Sequence, residues 1–291
     1  MTRTRLAVLG SPIGHSKSPA LHMAAYRVLG LGWTYEAIEV TAAQLPGFLQ
    51  SCDATWRGLS LTMPLKRDVL PLLDEADDLA LLTGGANTVL FTDSPTADRP
   101  VAGTSLLGFN TDVHGITAAL RSHGVSVVSR VRLLGAGATA ASVIAAVAGL
   151  GAREVLISTR SPERARPVRE LGEALGLEVT LGALDDAHPA FEPDLVVSCL
   201  PNGTVPDIRF DDEVLEGATL FDVAYDPWPS ALASRWYAAR GHVVPGIEML
   251  VGQALVQVRV FVGGSPDLPL EGEAAVLVAM RESVGLPPTA P

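Results

Sequence analysis

Positive charge is scarce in this chain: 21 lysines and arginines stand against 32 aspartates and glutamates, a formal net charge of −11. Nucleic acid and anionic membranes recruit basic surfaces, so neither is expected as a partner. An anionic small molecule stays open, because a local basic pocket can sit in an acidic protein. Cysteines number two, Cys52 and Cys199. They lie far apart, match no metal or redox spacing, and stand in apolar contexts, so they read as buried thiols of a protein in the reducing cytoplasm. The sequon-like Asn202-Gly203-Thr204 then reads as a chance match. The six histidines show no close ligand spacing, so no metal site is expected. Aromatics are only 5% of residues although hydrophobics reach 48%, so small residues carry the apolarity. No run approaches the ~18–20 consecutive apolar residues of a membrane helix. The stretch MTRTRLAVLGSPIGHS has two arginines and a very short apolar run, and reads as a first strand rather than a signal peptide. No repeat recurs at a fixed solenoid period. A length of 291 residues suits two domains.

What is present is an alternation of strand and helix signals. Arg5–Gly10 reads as an apolar strand. Ser18-Pro19 then opens a helix, with serine at the cap and proline at the first helical position, and Gly30 closes it. Trp33–Val40 reads as a strand and Ala42–Gln50 as a helix weakened by Pro46. Gly58–Leu73 begins like a buried strand and ends like a helix with Lys66 in its first turn. A helix over Glu75–Leu82 follows. Gly84-Gly85 breaks into a strand over residues 86–91, and residues 92–100 read as a polar hairpin or loop. Gly108–Gly124 reads as a helix bridging to a second domain. That domain opens with strand, glycine turn, helix and strand, and further strands are expected over Asp194–Leu200, Ala218–Tyr225 and Gly241–Gly246. Helices over Glu248–Val262 and Glu271–Val284 close the chain. The alternation implies an α/β protein with a parallel, doubly wound sheet.

Gly135, Gly137 and Ala140 form G-x-G-x-x-A directly after the strand VRLL. Small residues there let the turn tighten, let the backbone approach a pyrophosphate and let the helix pack on the strand. Such turns also serve ordinary helix–strand packing, but the strand before and the helix after favour a dinucleotide. A unit selective for NAD usually carries an acidic residue at the end of its second strand. This chain has STRSPERA, with Thr159, Arg160, Ser161 and Arg164 and no acid before Glu163. Two guanidiniums suit a 2′-phosphate and hence NADP, against the plainer reading of a solvated arginine cluster.

Lys66 alone would be a solvated lysine, Asp112 a helix cap, Asn87 a turn residue. Yet GSPIGHSKSPALH, SLTMPLK, GGANT and GFNTD all fall at strand ends of the first domain, where ligands of open α/β sheets bind. Together they would gather hydroxyl and amide donors for a polyhydroxylated acid and one cation–anion pair for proton transfer.

Taken in order, these motifs resemble those of the shikimate dehydrogenase family over nearly the whole chain. GSPIGHSKSPALH resembles the N-terminal substrate motif, SLTMPLK is similar to Asn-Val-Thr-x-Pro-x-Lys, GGANT to Gly-Ala-x-Asn-Thr, and GFNTDVHG to Gly-x-Asn-Thr-Asp-x-x-Gly. GAGATA and STRSPERA resemble the nucleotide turn and the NADP clamp; DVAYDPWPSAL and GIEMLVGQA resemble the closing motifs. The resemblance implies Lys66 and Asp112 as the catalytic pair. It implies Ser16, Ser18, Thr62, Asn87, Tyr225 and Gln253 as substrate ligands, the serines at the substrate carboxylate. Gly135, Gly137, Ala138, Thr159, Arg160 and Arg164 would hold NADP. It implies a substrate and catalytic domain over residues 1–111, completed by 247–291 as the C-terminal helices return, and a Rossmann-like domain over 112–246. The activity implied is reversible, NADPH-dependent reduction of 3-dehydroshikimate to shikimate, in a cytoplasmic monomer or homodimer. Rival readings are an NAD-preferring quinate/shikimate dehydrogenase and a non-catalytic NADP-linked sensor. Ser60 stands where the family has asparagine, Leu61 where it has valine, and Thr159 where the clamp has asparagine. CLPNGTVP differs from the usual Asn-Ala-Thr-Pro stretch.

Overall fold

The computed structural model describes residues 4–93, 104–188, 190–201, 203–204 and 207–288. The chain packs as two compact units, one running to Asp112 and resuming at Val251, the other Val113–Leu250. The first contains β1 (Arg5–Gly10), α1 (Ser18–Val28), β2 (Thr34–Glu39), α2 (Leu45–Ser51), β3 (Trp56–Leu61), α3 (Leu65–Asp68), a 3-10 turn at Leu70–Leu72, β4 (Glu75–Ala76), α4 (Asp78–Thr83), β5 (Thr88–Asp93) and β6 (Thr104–Phe109). Next come α5 (Asp112–Ser122), β7 (Arg130–Leu134), α6 (Ala138–Gly149), β8 (Glu154–Thr159), α7 (Pro162–Ala174), β9 (Glu178–Ala183), β10 (Leu195–Ser198), α8 (Asp212–Gly217), β11 (Thr219–Asp222), α9 (Ala231–Ala238) and β12 (Val243–Pro245). α10 (Gly246–Gly263) leads from the second unit back into the first, which α11 (Glu273–Ser283) completes.

The first sheet has the order β2-β1-β3-β5-β6-β4. β1 runs parallel to β2 and β3, but β5 is antiparallel to both β3 and β6. This sheet is therefore mixed, not parallel throughout. Only ten residues separate β5 from β6, fewer than the dozen or so that a crossover between parallel strands needs. β6 itself lies partly where a helix was expected from Gly108. Residues 94–100 of the expected polar loop lie outside the described residues. The second sheet is wholly parallel in the order β12-β11-β10-β7-β8-β9. Counted from β7, that is the order 3-2-1-4-5-6 of a dinucleotide-binding sheet.

Buried runs explain the central strands. Leu6–Leu9 of β1 and Val131, Leu133 and Leu134 of β7 are almost wholly hidden, as strands covered on both faces must be. In the first unit Leu9, Leu59, Leu65, Val89 and Phe91 share one core; in the second Val131, Ile144, Val147, Ile157 and Phe221 share another.

Several local boundaries shift for physical reasons. Pro46 lies in the first turn of α2, so that helix starts at Leu45 instead of Ala42. Glu75–Ala76 pair with β6, and Asp77 caps α4 by accepting the Ala80 N–H at 2.7 Å, so the helix expected from Glu75 begins at Asp78. Ser18 is not a cap. It is the first helical residue, Lys17 holds the cap position, and no side chain closes that end. Instead the Ser16 hydroxyl accepts the Ser18 N–H at 3.3 Å. By length and composition α10 could cross a membrane, with mean hydropathy 1.3 over 18 residues, yet 67% of it is buried inside the protein.

Candidate active site

Every residue of the first-unit site is carried at a strand end or on the returning helix. Lys66 sits in the one-turn α3, directly after β3. A cation in a helix's first turn is mildly disfavoured by the macrodipole, but four residues make too short a helix for a strong one. Its carbonyl accepts the Ala86 N–H at 2.8 Å, tying the lysine turn to the strand that carries Asn87. Asp112 opens α5, held by its N–H bond to Asn110 Oδ1 at 3.0 Å. The Lys66 Nζ donates to Asp112 Oδ2 at 2.5 Å, and the two side chains are 14% and 4% exposed. Both charges are therefore largely withdrawn from water and face each other.

Asn87 joins the pair to the rest of the site. Its Nδ2 donates to Asp112 Oδ1 at 2.8 Å, and Gln253 Oε1 and Thr111 Oγ1 stand at 3.2 and 2.9 Å. Its Oδ1 accepts the Thr111 N–H at 2.9 Å and the Thr88 hydroxyl at 2.8 Å. Four sequence-named residues, Lys66, Asn87, Asp112 and Gln253, thus meet in one hydrogen-bonded group. Thr62 ends the β3 segment, its N–H bonded to Leu9 O at 2.9 Å. Gly10 is required beside it, since a Cβ there would lie 2.4 Å from the Thr62 methyl. Ser16 stands in the turn into α1, and Ser18, the first residue of α1, is buried. Gln257 and Thr88, both fully buried, were not expected from the sequence. The four-residue spacing of Gln257 from Gln253 on one helix is the signal that points to it.

Tyr225 belongs to the second unit, in the segment after β11. Burial and the neighbouring Asp226 raise its pKa. Asp222, at the end of β11, braces that segment: its carboxylate accepts the Ala224 N–H at 3.1 Å and the Ser230 hydroxyl at 2.5 Å. Burial raises the Asp222 pKa and those hydrogen bonds oppose the rise.

The glycine turn of the second unit has the geometry its residues suggest. Gly135 has φ +95°, a region that strongly favours glycine. Gly137 caps α6, and among the described residues no atom beyond its own chain neighbours lies within 4 Å of where its Cβ would stand. That open space borders the N-terminus of a twelve-residue helix with no acidic residue in its first turn, a place where backbone N–H groups receive phosphate. Thr159 is buried at the end of β8, and its hydroxyl accepts the Ser161 N–H at 3.1 Å. Its polar atom therefore shapes the turn. Arg160 and Arg164 are exposed. Arg160 precedes the cap residue Ser161 while Arg164 lies within α7, so the two do not share one helix face.

Neither cysteine is in a disulfide; Cys52 is buried and Cys199 only half-buried, contrary to the reading of both as buried. Burial pushes the Cys52 thiol up to about 12. Among the described residues no group of three or more His, Cys, Asp or Glu is placed to hold a metal.

Residues 8–89 match the family described as the shikimate dehydrogenase substrate binding domain. Over 285 residues the chain is 31% identical to the shikimate dehydrogenase (NADP(+)) of Methanothermobacter thermautotrophicus, spanning 94% of this chain and 96% of that one. The crystal structure of shikimate dehydrogenase from Mycobacterium tuberculosis superposes with a TM-score of 0.78 at 34% identity, covering 95% of this chain and 98% of that one. Shikimate 5-dehydrogenase of Thermus thermophilus, in complex with NADP(H) and shikimate, gives 0.76 at 30% identity, with 96% and 99% covered. The agreement extends over the substrate-domain motifs and the dinucleotide sheet alike, and the chain belongs to the shikimate dehydrogenase family.

Proposed function

We propose that this protein catalyses the reversible, NADPH-dependent reduction of 3-dehydroshikimate to shikimate, a step of aromatic amino-acid biosynthesis. The observation that carries the reading is the Lys66–Asp112 pair, at 2.5 Å and largely buried, with Asn87 bonded to the carboxylate's other oxygen. NADPH, when bound, supplies the hydride that reduces the C3 carbonyl. Lys66 faces the developing alkoxide as an ammonium, stabilises its charge and donates the proton. Asp112 orients that ammonium, and Asn87 and Gln253 bind substrate hydroxyls. Ser16, Ser18 and Thr62 supply hydroxyls for the substrate, the serines at its carboxylate. Tyr225 is a further substrate contact in this reading.

The second unit is assigned the cofactor. Gly135, Gly137 and Ala138 form the pyrophosphate seat, and Arg160 and Arg164 grip the 2′-phosphate; the space at Gly137 and the exposure of both arginines support this. The relatives named for NADP(+) point the same way. Two cysteines outside any disulfide accord with a cytoplasmic location. The test is the absorbance of NADPH on adding 3-dehydroshikimate, and of NADP⁺ on adding shikimate. Turnover in both directions is expected, and no change in either refutes the assignment.

A further inference from the structure

Behind the Lys66–Asp112 pair lies a set of buried polar groups that the reaction itself does not use. His22, Tyr26, Tyr35, Ser60, Thr88 and Gln257 come from α1, β2, β3, β5 and α10, and all six are buried. Two main-chain groups fix which way their hydrogen bonds run. The Asn87 carbonyl can only accept, so the Gln257 atom facing it at 3.1 Å is the amide nitrogen. Gln257 Oε1 is therefore turned the other way and accepts from His22 Nε2 at 3.1 Å and from the Ser60 hydroxyl at 2.8 Å. His22 Nδ1 is then the acceptor of the Tyr26 hydroxyl at 3.1 Å, and Ser60 accepts from Tyr35 at 2.6 Å. At the other end the Thr111 N–H can only donate, so it fixes Asn87 Oδ1 towards itself.

Thr88 stands between these two fixed amides. Its hydroxyl accepts from Gln257 Nε2 at 3.0 Å and donates to Asn87 Oδ1 at 2.8 Å. Every donor in the chain thus points the same way, from the two tyrosines through His22, Ser60, Gln257 and Thr88 to Asn87. The last donor in that series is Asn87 Nδ2, which faces the Asp112 carboxylate. Turning the Asn87 amide over would set its oxygen against that carboxylate and its NH₂ against the Thr111 N–H and the Thr88 hydroxyl proton. The burial of His22 keeps its imidazole neutral, with a pKa lowered to about 3, so the chain carries no charge of its own into the site.

We infer that Thr88 and Gln257 are positioning residues for the reaction: together with the Thr111 N–H they lock the Asn87 amide so that its NH₂ is always presented to Asp112. Among the described residues neither has a hydrogen bond to Lys66 or Asp112, and both act through Asn87. The inference deepens the proposed dehydrogenase reading and rests on it for its kinetic readout. It concerns hydrogen-bond direction and not packing, which gives it a sharp test at Thr88. Thr88→Val keeps the shape and removes the hydroxyl; Thr88→Ser keeps the hydroxyl and removes the methyl. With 3-dehydroshikimate and NADPH, kcat is expected to fall by about tenfold or more in Thr88→Val, the scale of a displaced catalytic geometry, and to stay within about twofold of wild type in Thr88→Ser. A purely structural role predicts the reverse order, and that order overturns the proposal. Gln257→Glu, the same shape with a donor turned into an acceptor, is expected to lose kcat like Thr88→Val; wild-type kcat there also overturns it. A measurement on the unaltered chain needs no variant to fold. The Asn87 and Gln257 side-chain amide protons should exchange with solvent at least ~100-fold more slowly than free amides, as buried locked groups do. Free-amide exchange rates refute the lock whatever the catalytic result, whereas an inactive wild type with protected amides refutes only the dehydrogenase reading.

Discussion

Lys66→Met separates what the buried ion pair does for stability from what it does for turnover. Methionine keeps the apolar stem of the lysine and removes the ammonium that sits 2.5 Å from Asp112 Oδ2. Asp112, with a side chain only 4% exposed, then loses its charged partner and retains the Asn87 Nδ2 bond at 2.8 Å. Removing one member of a buried pair costs about 3–5 kcal/mol. The remaining Asn87 bond and the 14% exposure of the lysine end place the expected cost at the lower end, about 3 kcal/mol. The activity loss is independent of that figure: a positioned proton donor contributes at least ~10²-fold to kcat. In Lys66→Met/Asp112→Asn no buried charge is left uncompensated, so stability should return by about 2 kcal/mol relative to the single variant. Activity should not return. Chemical denaturation of the three proteins gives the stabilities, and steady-state kinetics with NADPH and 3-dehydroshikimate gives kcat. A double variant less stable than Lys66→Met, or a Lys66→Met enzyme with kcat within a fewfold of wild type, would refute the reasoning.

Arg160→Asp sets a carboxylate where the 2′-phosphate is proposed to lie, so kcat/KM with NADP⁺ should fall by at least ~10-fold while NAD⁺ is affected much less; equal losses with both cofactors refute the clamp. Gly137→Val adds a side chain where no described atom beyond the chain neighbours lies within 4 Å of the Cβ, so the melting temperature should change little while the Kd for NADP⁺, read by titration calorimetry, rises by ~10-fold or more; unchanged affinity removes the pyrophosphate seat from this turn. His22 titrates near 6.5 when unfolded and near 3 in the fold. The unfolded chain therefore binds a proton that the native one refuses, and stability falls as pH drops from about 6.5 towards 3. His22→Gln should flatten the pH dependence of unfolding free energy in that window by up to about 1.4 kcal/mol per pH unit, and an unchanged slope would show that His22 is not held neutral.

How far the sequence disclosed this site depended on the range of the interaction concerned. The strand–turn–helix at Gly135 is a local device, each glycine answering a local backbone need, and it was legible as it stands. So were Lys66, Asn87 and Asp112, though each alone had an ordinary reading and only their common position at strand ends marked them. The meeting of Asn87 with Gln253 spans 166 residues of chain, and nothing local announces it. The same is true of His22 and Gln257, 235 residues apart: a histidine and a glutamine on helices rich in apolar residues look like core-facing strays until the two helices are packed together. Local reasoning went astray where neighbours compete for a role. Ser18 has the chemistry of a cap, but Ser16, two residues earlier, takes the N–H instead. Glu75 and Ala76 suit a helix, but β6 offers them a ladder.

The first unit is assembled from two separated stretches of chain, with Val113–Leu250 between them. On a ribosome adding roughly 5–20 residues per second, those 138 residues take about 7–28 s to emerge. All of that time β1 to β6 lack the helix that brings Gln253 and Gln257, and α1 lacks α11, its closest helical neighbour. The intervening unit is contiguous and meets no such delay. Synthesis therefore favours an order in which the later-made nucleotide unit matures first and the substrate unit waits until residues 251–290 are made. A ribosome that stalls before Gln253 leaves behind a product with Lys66 and Asp112 both present and the bonds of Asn87 with Gln253 and Gln257 still unmade.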